Sequence, residues 1–418
     1  MELTMEYVPA SNFDKPWQRV RFGELYAAPS RNGVYKAKGF HGRGCRIVNM
    51  GEMFGLDFIS NQEMNRVFLS PAELEVNALI DGDLLFGRRS IVEAGAGKCS
   101  IIVNPSEPLT FESSIIRVRL KTGTVNPAFY YYFFRSPPGR EIVRGIVSGT
   151  NVKGIRGTEL KELSVPLPGL LEQNAIAAAL SDVDALISSL DHLIAKKRDI
   201  KRATMQQLLT GKQRLPGFHG EWETKKLGEL GSWKGGMTPS MRNPAFWSNG
   251  DIPWASSADI KEATIVDTQM RITEAAIKQS AATLLPATSI LIVTRSGILR
   301  RYLPVAKNLR KMAINQDIKA LIPSSGFHPD FLFHAISANG DRILSTCMKS
   351  GTTVESIEYA WLKAYQIGVP QVDEQVAIAS VLSDMDAEIS ALEKRRDKTR
   401  ELKQGMMQEL LTGRIRLV

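Results

Sequence analysis

Hydrophobic and polar positions alternate most regularly over residues 168–215, and the same pattern returns at 370–417, displaced by 202 residues without a gap. About half of the paired positions are identical, so the chain carries an internal duplication. In the first copy Ile176, Leu180, Val183, Ile187, Leu190 and Ile194 recur at alternating intervals of four and three, the a/d spacing of a coiled-coil seam. Ile378, Leu382, Met385, Ile389 and Leu392 repeat the seam in the second copy, and it resumes at Met406 and Leu410. Pro168 and Pro370 stand just before the pattern, and Gly211 and Gly413 just after it, where proline and glycine bound helices. Each copy therefore predicts one long helix, about 57 Å from Glu172 to Leu209 at 1.5 Å per residue.

Neither seam is stable in water alone, and each copy is the natural partner of the other. Antiparallel pairing needs no return path for the intervening chain. It sets the two remaining parts of the chain at opposite ends of a rod and brings Val418 back towards Met1. Lys197, Lys201, Arg396 and Lys403 interrupt the apolar run. They read as a solvated, register-setting stretch, with a docking surface for an acidic partner as the alternative.

The duplication reaches beyond the helices. Trp17, Gly23, Glu24 and Leu25 are answered by Trp222, Gly228, Glu229 and Leu230, and the run Ser148-Gly149-Thr150-Asn151-Val152 by Ser350-Gly351-Thr352-Thr353-Val354. Between these anchors the two segments diverge almost completely, as expected if a shared frame reads two different targets. The expected layout is a recognition domain over 1–165, a helical spacer over 166–215, a second recognition domain over 216–368 and a second spacer over 369–418. Short strands mixed with helices make both globular segments α+β.

In the first segment, residues 45–50 and 83–86 read as strands, the latter after an Asp81-Gly82 turn, and Gly95-Ala96-Gly97 as a tight loop before the apolar run 100–103. Residues 126–135, NPAFYYYFFR, read as a helix packed on the core rather than as a base-stacking platform, and a further helix is expected around 140–147. In the second segment, residues 233–254, with Trp247 and Trp254, have the composition of a surface loop. Residues 260–272 and 289–294 read as strands, and 327–337 as a packed helix introduced by Pro329 in which His334 is structural.

Charge changes the picture more than composition does. A net charge of +9 and a pI near 9.3 favour a polyanionic partner, most simply nucleic acid. Cys45, Cys99 and Cys347 are too scattered for a disulfide framework or a CxxC metal motif, and no apolar signal core or spanning run is present, so a cytoplasmic protein is expected. Chemistry is hard to find. Gly95-Ala96-Gly97-Lys98-Cys99-Ser100 imitates a P-loop, but Cys99 follows the lysine and Val92 occupies the place of the first glycine. Asp182 with Asp184 and Asp384 with Asp386 sit two apart, which on a helix face different ways. The histidines His41, His192, His219, His328 and His334 lack ligand spacing, and neither a GxSxG elbow nor the tetrapeptide of an amino-methyltransferase appears. The residues offer binding, not catalysis, and no metal site.

Arg reads guanine, and Asn and Gln read adenine, in the major groove. In the first segment the candidates for DNA contact are Arg31, Lys36, Lys38, Arg43, Arg46, Asn61, Gln62, Arg88, Arg89 and Lys98. In the second they are Lys234, Arg242, Asn243, Ser256, Ser257, Arg295, Arg300, Arg301, Arg310, Lys311, Asn315 and Gln316. Arg89 and Arg295 stand out, each just after an apolar strand and before a serine.

Taken in order, the two EQxAIAxxLSDxDA stretches (172–185 and 374–387), the two LLTG stretches (208–211 and 410–413), NPAFWSNGDIPW (243–254) and GDLLFGRRS (82–90) resemble the DNA specificity subunit of Type I restriction-modification enzymes over essentially the whole chain. The resemblance implies two target-recognition domains, each reading half of a split, asymmetric DNA sequence, with paired helices as a ruler. It implies two methyltransferase (modification) subunits that hold S-adenosylmethionine and methylate adenine, and two restriction subunits that use ATP and magnesium. The chain itself would bind no cofactor and catalyse nothing. A rod of the predicted length would set half-sites about one DNA turn apart, ~34–36 Å. The runner-up is a basic coiled-coil adaptor joining other proteins; a stand-alone nuclease or methyltransferase lacks any supporting motif.

Overall fold

In the computed structural model, which describes residues 8–9, 16–351 and 353–417, both duplicated stretches fold as single helices, Leu170–Leu208 and Val372–Leu410. The chain divides into two compact units, one of Met1–Asp191 with Lys394–Val418, the other of His192–Glu393. The division cuts both long helices, whereas the sequence layout set them apart as spacers. The reason is burial. Ile176 and Leu180 from the first helix and Met407 and Leu410 from the second join Phe129, Leu160 and Val165 in the core of the first unit. In the second unit Ile378, Leu382 and Leu208 share a core with Phe331, Leu362 and Ile367. The apolar stripes thus serve the globular segments as well as each other.

Within each unit the helices run antiparallel. In the first, Asp184 meets Lys403 at 2.6 Å while Asp191 meets Arg400 at 2.9 Å and Arg396 at 3.4 Å, so numbers rise on one helix as they fall on the other. In the second, Lys201 pairs with Asp386, Lys197 with Glu388 at 2.6 Å, and Arg198 with Glu393. The four cations that interrupt the seam are therefore matched by carboxylates on the facing helix, which favours the register-setting role. Val8–Pro9 pairs antiparallel with Ile415–Arg416; Met1 and Val418 lie outside the described residues.

The globular segments share one topology despite their unlike sequences. The first holds a five-stranded sheet in the order Tyr26–Asn32, Ile115–Leu120, Leu84–Gly87, Cys99–Ile102, Phe58–Ile59, antiparallel except for the last pair. The second repeats it with Gly231–Gly235, Ile318–Pro323, Ile290–Val293, Val305–Asn308 and Thr264–Ile265, again with only the last pair parallel. A smaller three-stranded sheet, built on His41–Val48 in one and Ile252–Ala255 in the other, has one parallel and one antiparallel neighbour in both.

The helix Pro127–Arg135 is capped by Asn126, whose side chain accepts from the Ala128 amide at 2.8 Å, and buries every residue from Phe129 to Phe134. It is core, not a stacking platform. Pro329–Ala338 takes the same place in the second unit, with His334 buried. Two expectations need correction. Residues 260–272 form no single strand but two short ones, Thr264–Ile265 and Met270–Ile272, which belong to different sheets. Residues 233–254 are not all surface loop: Trp233 lies in an edge strand, and Trp254 is buried among Phe246, Ile272 and Ala313. Among the described residues no helix is long and apolar enough to cross a membrane.

Candidate nucleic-acid interface

The strand Leu84–Gly87 is buried throughout and delivers its next residues, Arg88 and Arg89, to the end of the sheet. Arg88 is half-buried, and its guanidinium donates to the Ser113 carbonyl at 2.9 Å. Arg89 is exposed and opens a two-residue strand, Arg89–Ser90, that pairs with Lys153–Gly154. Gly154 sits so close that a Cβ there would lie 2.8 Å from the Arg88 carbonyl, which only glycine avoids. Gly149, at φ +105°, turns the chain back towards this strand. The result is a cleft of about 410 Å³ lined by Arg88, Arg89, Ser148, Gly149, Lys153 and Arg156.

The second unit builds the same corner. Ile290–Val293 is buried and leads to Arg295, which is exposed and bridges to Ser356 as Arg89 does to Gly154. Arg300 is held there by Glu355, and this guanidinium keeps the Glu355 carboxyl below the usual carboxylate range.

Arg43, Arg89, Arg242, Arg295 and Arg301 are exposed and have no carboxylate partner among the described residues, with Arg43 lying over the Phe68 ring at 5.4 Å. Others have internal duties. Lys98 donates to the Phe54 carbonyl at 2.7 Å, and burial lowers its pKa, with Arg135 adding to the effect, so the P-loop imitation is a turn whose lysine is tied to the helix Met50–Gly55. Asn243 caps the short turn Pro244–Phe246 by accepting from Ala245 at 3.2 Å. Asn315 is buried and exchanges bonds with Asp317, while the exposed Gln316 accepts from Thr238 at 2.8 Å. Lys36, Arg46, Asn61, Gln62 and Ser256 are likewise engaged within the fold. Lys153 and Arg156 were not among the sequence candidates. Their signal was the repeated Ser-Gly-Thr run, which they follow by three and six residues.

Sequence reasoning also missed how each globular segment is fastened to the helices. Trp17 donates its indole N–H to Glu172 at 3.0 Å, and Arg416 donates to the same carboxylate at 2.8 Å while lying 5.3 Å from the indole centroid. Trp222, Glu374 and Arg214 repeat the arrangement, with bonds of 3.3 and 2.6 Å. The glycines that end the helices, Gly413 and Gly211, rest against the same two indoles. All three members recur in the duplication, which was the available clue.

Two copies of one fold agree with a known family. The family model described as Type I restriction modification DNA specificity domain matches residues 16–197 and 219–404. The chain belongs to that family. It is 34% identical to the EcoR124I/EcoR124II specificity subunit of Escherichia coli over 58% of this chain and 60% of that protein, so the match spans under two thirds of the relative. It is 27% identical to the putative MjaX specificity subunit of Methanocaldococcus jannaschii over 81% of this chain and 80% of that one. Among solved structures, the S subunit of a Type I restriction-modification system from M. genitalium has the same fold, at a TM-score of 0.59 and 15% identity, covering 96% of this chain and 98% of that one.

Proposed function

We propose that this chain is the DNA-specificity subunit of a Type I restriction-modification system, reading a bipartite, asymmetric duplex target with one globular segment per half-site. It carries out no chemistry itself and scaffolds methyltransferase and restriction subunits, on which S-adenosylmethionine, ATP and magnesium are bound. The observation that carries the reading is that two segments with the same strand order hold unlike residues at the same corner, beside Arg89 in one and Arg295 in the other. A common frame with different contacts is what reading two different half-sites requires. The net charge of +9 supplies the attraction to a polyanion.

The test is an exchange. Residues 221–363 are replaced by the matching segment of a relative, and the full chain is assembled with its methyltransferase subunits. Mapping of methylated adenines is expected to show one half-site changed and the other kept. Change in both half-sites contradicts independent reading. Absent or salt-insensitive duplex binding by the unaltered complex favours the protein-adaptor reading instead.

A further inference from the structure

The repeated Ser-Gly-Thr run is followed by opposite charges in the two units. Lys153 and Arg156 in the first stand where the second has Glu355 and Glu358, at the 202-residue displacement of the duplication. The backbone beneath them is the same. Gly154 pairs with Arg89 and Ser356 with Arg295. The Ile155 amide donates to the Arg88 carbonyl at 3.1 Å, and the Ile357 amide to the Thr294 carbonyl at 2.8 Å. Charge has therefore been inverted at two fixed positions beside the arginine-tipped corner.

The consequences differ in kind. In the first unit none of the residues lining the 410 Å³ cleft is acidic; among the described residues the ion pair that a lining side chain makes is that of a largely exposed Arg156 with Glu159, at 3.7 Å. Four cationic residues, Arg88, Arg89, Lys153 and Arg156, then line one concavity with Ser148. In the second unit Glu355 holds Arg300 and Glu358 holds Lys349 at 2.8 Å, so cation and anion cancel in place.

We propose that the first unit's cleft holds a backbone phosphate of duplex DNA, and that the matching surface of the second unit does not. The two half-sites are then gripped with unequal dependence on salt. This rests on the DNA-reading function proposed above. The cleft gathers three arginines and one lysine; lysine acts as a point charge and arginine grips phosphate with its planar fork, so this density of positive charge in one concavity suits an anionic phosphate better than a neutral base edge. Such a contact fixes the register of the first segment on its half-site and leaves the choice of sequence to the other residues in which the two segments differ.

The experiment uses the full chain assembled with its methyltransferase subunits and its own target duplex. Binding is measured against salt for the unaltered protein, Lys153→Gln, Arg156→Gln and Lys153→Glu, and for duplexes in which single phosphates are replaced by neutral methylphosphonates. Each Gln variant is expected to weaken binding and to flatten the slope of log K against log salt by up to ~0.9, the share of the one phosphate contact that the cleft supplies. One methylphosphonate in the first segment's half-site should weaken the unaltered protein and leave Lys153→Glu unaffected; Glu355→Gln, which leaves Arg300 uncancelled, should not weaken binding or flatten the slope. A steep slope in the unaltered protein that Lys153→Gln and Arg156→Gln leave unchanged overturns this proposal and spares the function. Displacement of an acidic peptide by these variants, with duplex affinity intact, also overturns it. A flat slope in the unaltered protein sinks the function reading itself.

Discussion

The two units have one topology and two differently filled interiors. In the first, Phe22, Phe86, Tyr130, Tyr131, Tyr132, Phe133 and Phe134 are buried; the corresponding positions of the second are Leu227, Ile292, Leu332, Phe333, His334, Ala335 and Ile336. Phe22 alone touches four rings, those of Tyr26, Phe86, Tyr130 and Phe134, at centroid distances of 4.7 to 6.1 Å. What both units keep is the fastening: Trp17 and Phe129 meet edge to face at 6.1 Å, as Trp222 and Phe331 do. An interior tolerates wholesale exchange of apolar residues when volume and pattern are preserved. The pieces that cannot be exchanged are those with directional bonds, the Trp, Glu and Arg that tie each segment to the helices.

The largest effect expected from this contrast comes from emptying the aromatic interior. Phe22→Ala should destabilise the first unit by ~3–5 kcal/mol, the usual result of losing a buried ring and leaving a cavity. Hydrogen exchange should register it as lost protection in Leu84–Gly87, with Ile290–Val293 unchanged. Equal loss in both strands would mean that the units do not open separately.

A pH difference comes next. Burial lowers the pKa of His334 to about 4, with Lys201 and Lys307 adding to the effect and Asp386 opposing it. Its counterpart Tyr132 donates to Asp184 at 2.9 Å beside Lys403, and burial pushes that phenol far up, out of the acid range. Unfolded, the imidazole takes its proton near 6.5; folded, it resists until about 4. The unfolded state therefore binds more protons in this window, and the second unit loses stability as pH falls from 6.5 to 4, by up to ~3 kcal/mol. His334→Tyr, which installs the first unit's residue, should remove that part of the acid sensitivity. Denaturation curves at pH 7 and pH 4.5 that shift equally for both proteins would refute it.

Much of this was legible in the sequence, and the rest was hidden for identifiable reasons. The long helices declared themselves through a seam sustained over many turns, and the aromatic helix through its density of Phe and Tyr after a proline. The equivalence of Arg89 and Arg295 followed from an apolar run ending before a serine. The sheets could not be read. Their outer strands, Phe58–Ile59 and Thr264–Ile265, are two residues long and pair in parallel with distant partners, which leaves no periodicity to detect. Residues 260–272 looked continuous because Ile260, Ile265 and Ile272 recur as apolar positions, yet Ile265 and Ile272 serve separate sheets and Ile260 lies in no strand. At the candidate interface, Lys98 and Asn315 have suitable chemistry but are consumed, Lys98 by a carbonyl that only the folded chain brings near and Asn315 by Asp317, two residues on, in a local turn that its side chain closes.

The smallest expected effect concerns the helix pair. Arg400 and Arg198 occupy matched positions, pairing with Asp191 and Glu393, and their side chains are 47% and 58% exposed. Such pairs contribute ~0.2–1 kcal/mol at most. The units differ in what remains afterwards: Asp191 keeps Arg396, whereas Glu393 has no other cationic partner among the described residues. Arg400→Ala should therefore cost less than Arg198→Ala, and urea midpoints for the two variants should fall in that order. A larger loss from Arg400→Ala would mean that Asp191 depends on that one guanidinium, and that the second cation at this position contributes little to the register of the helices.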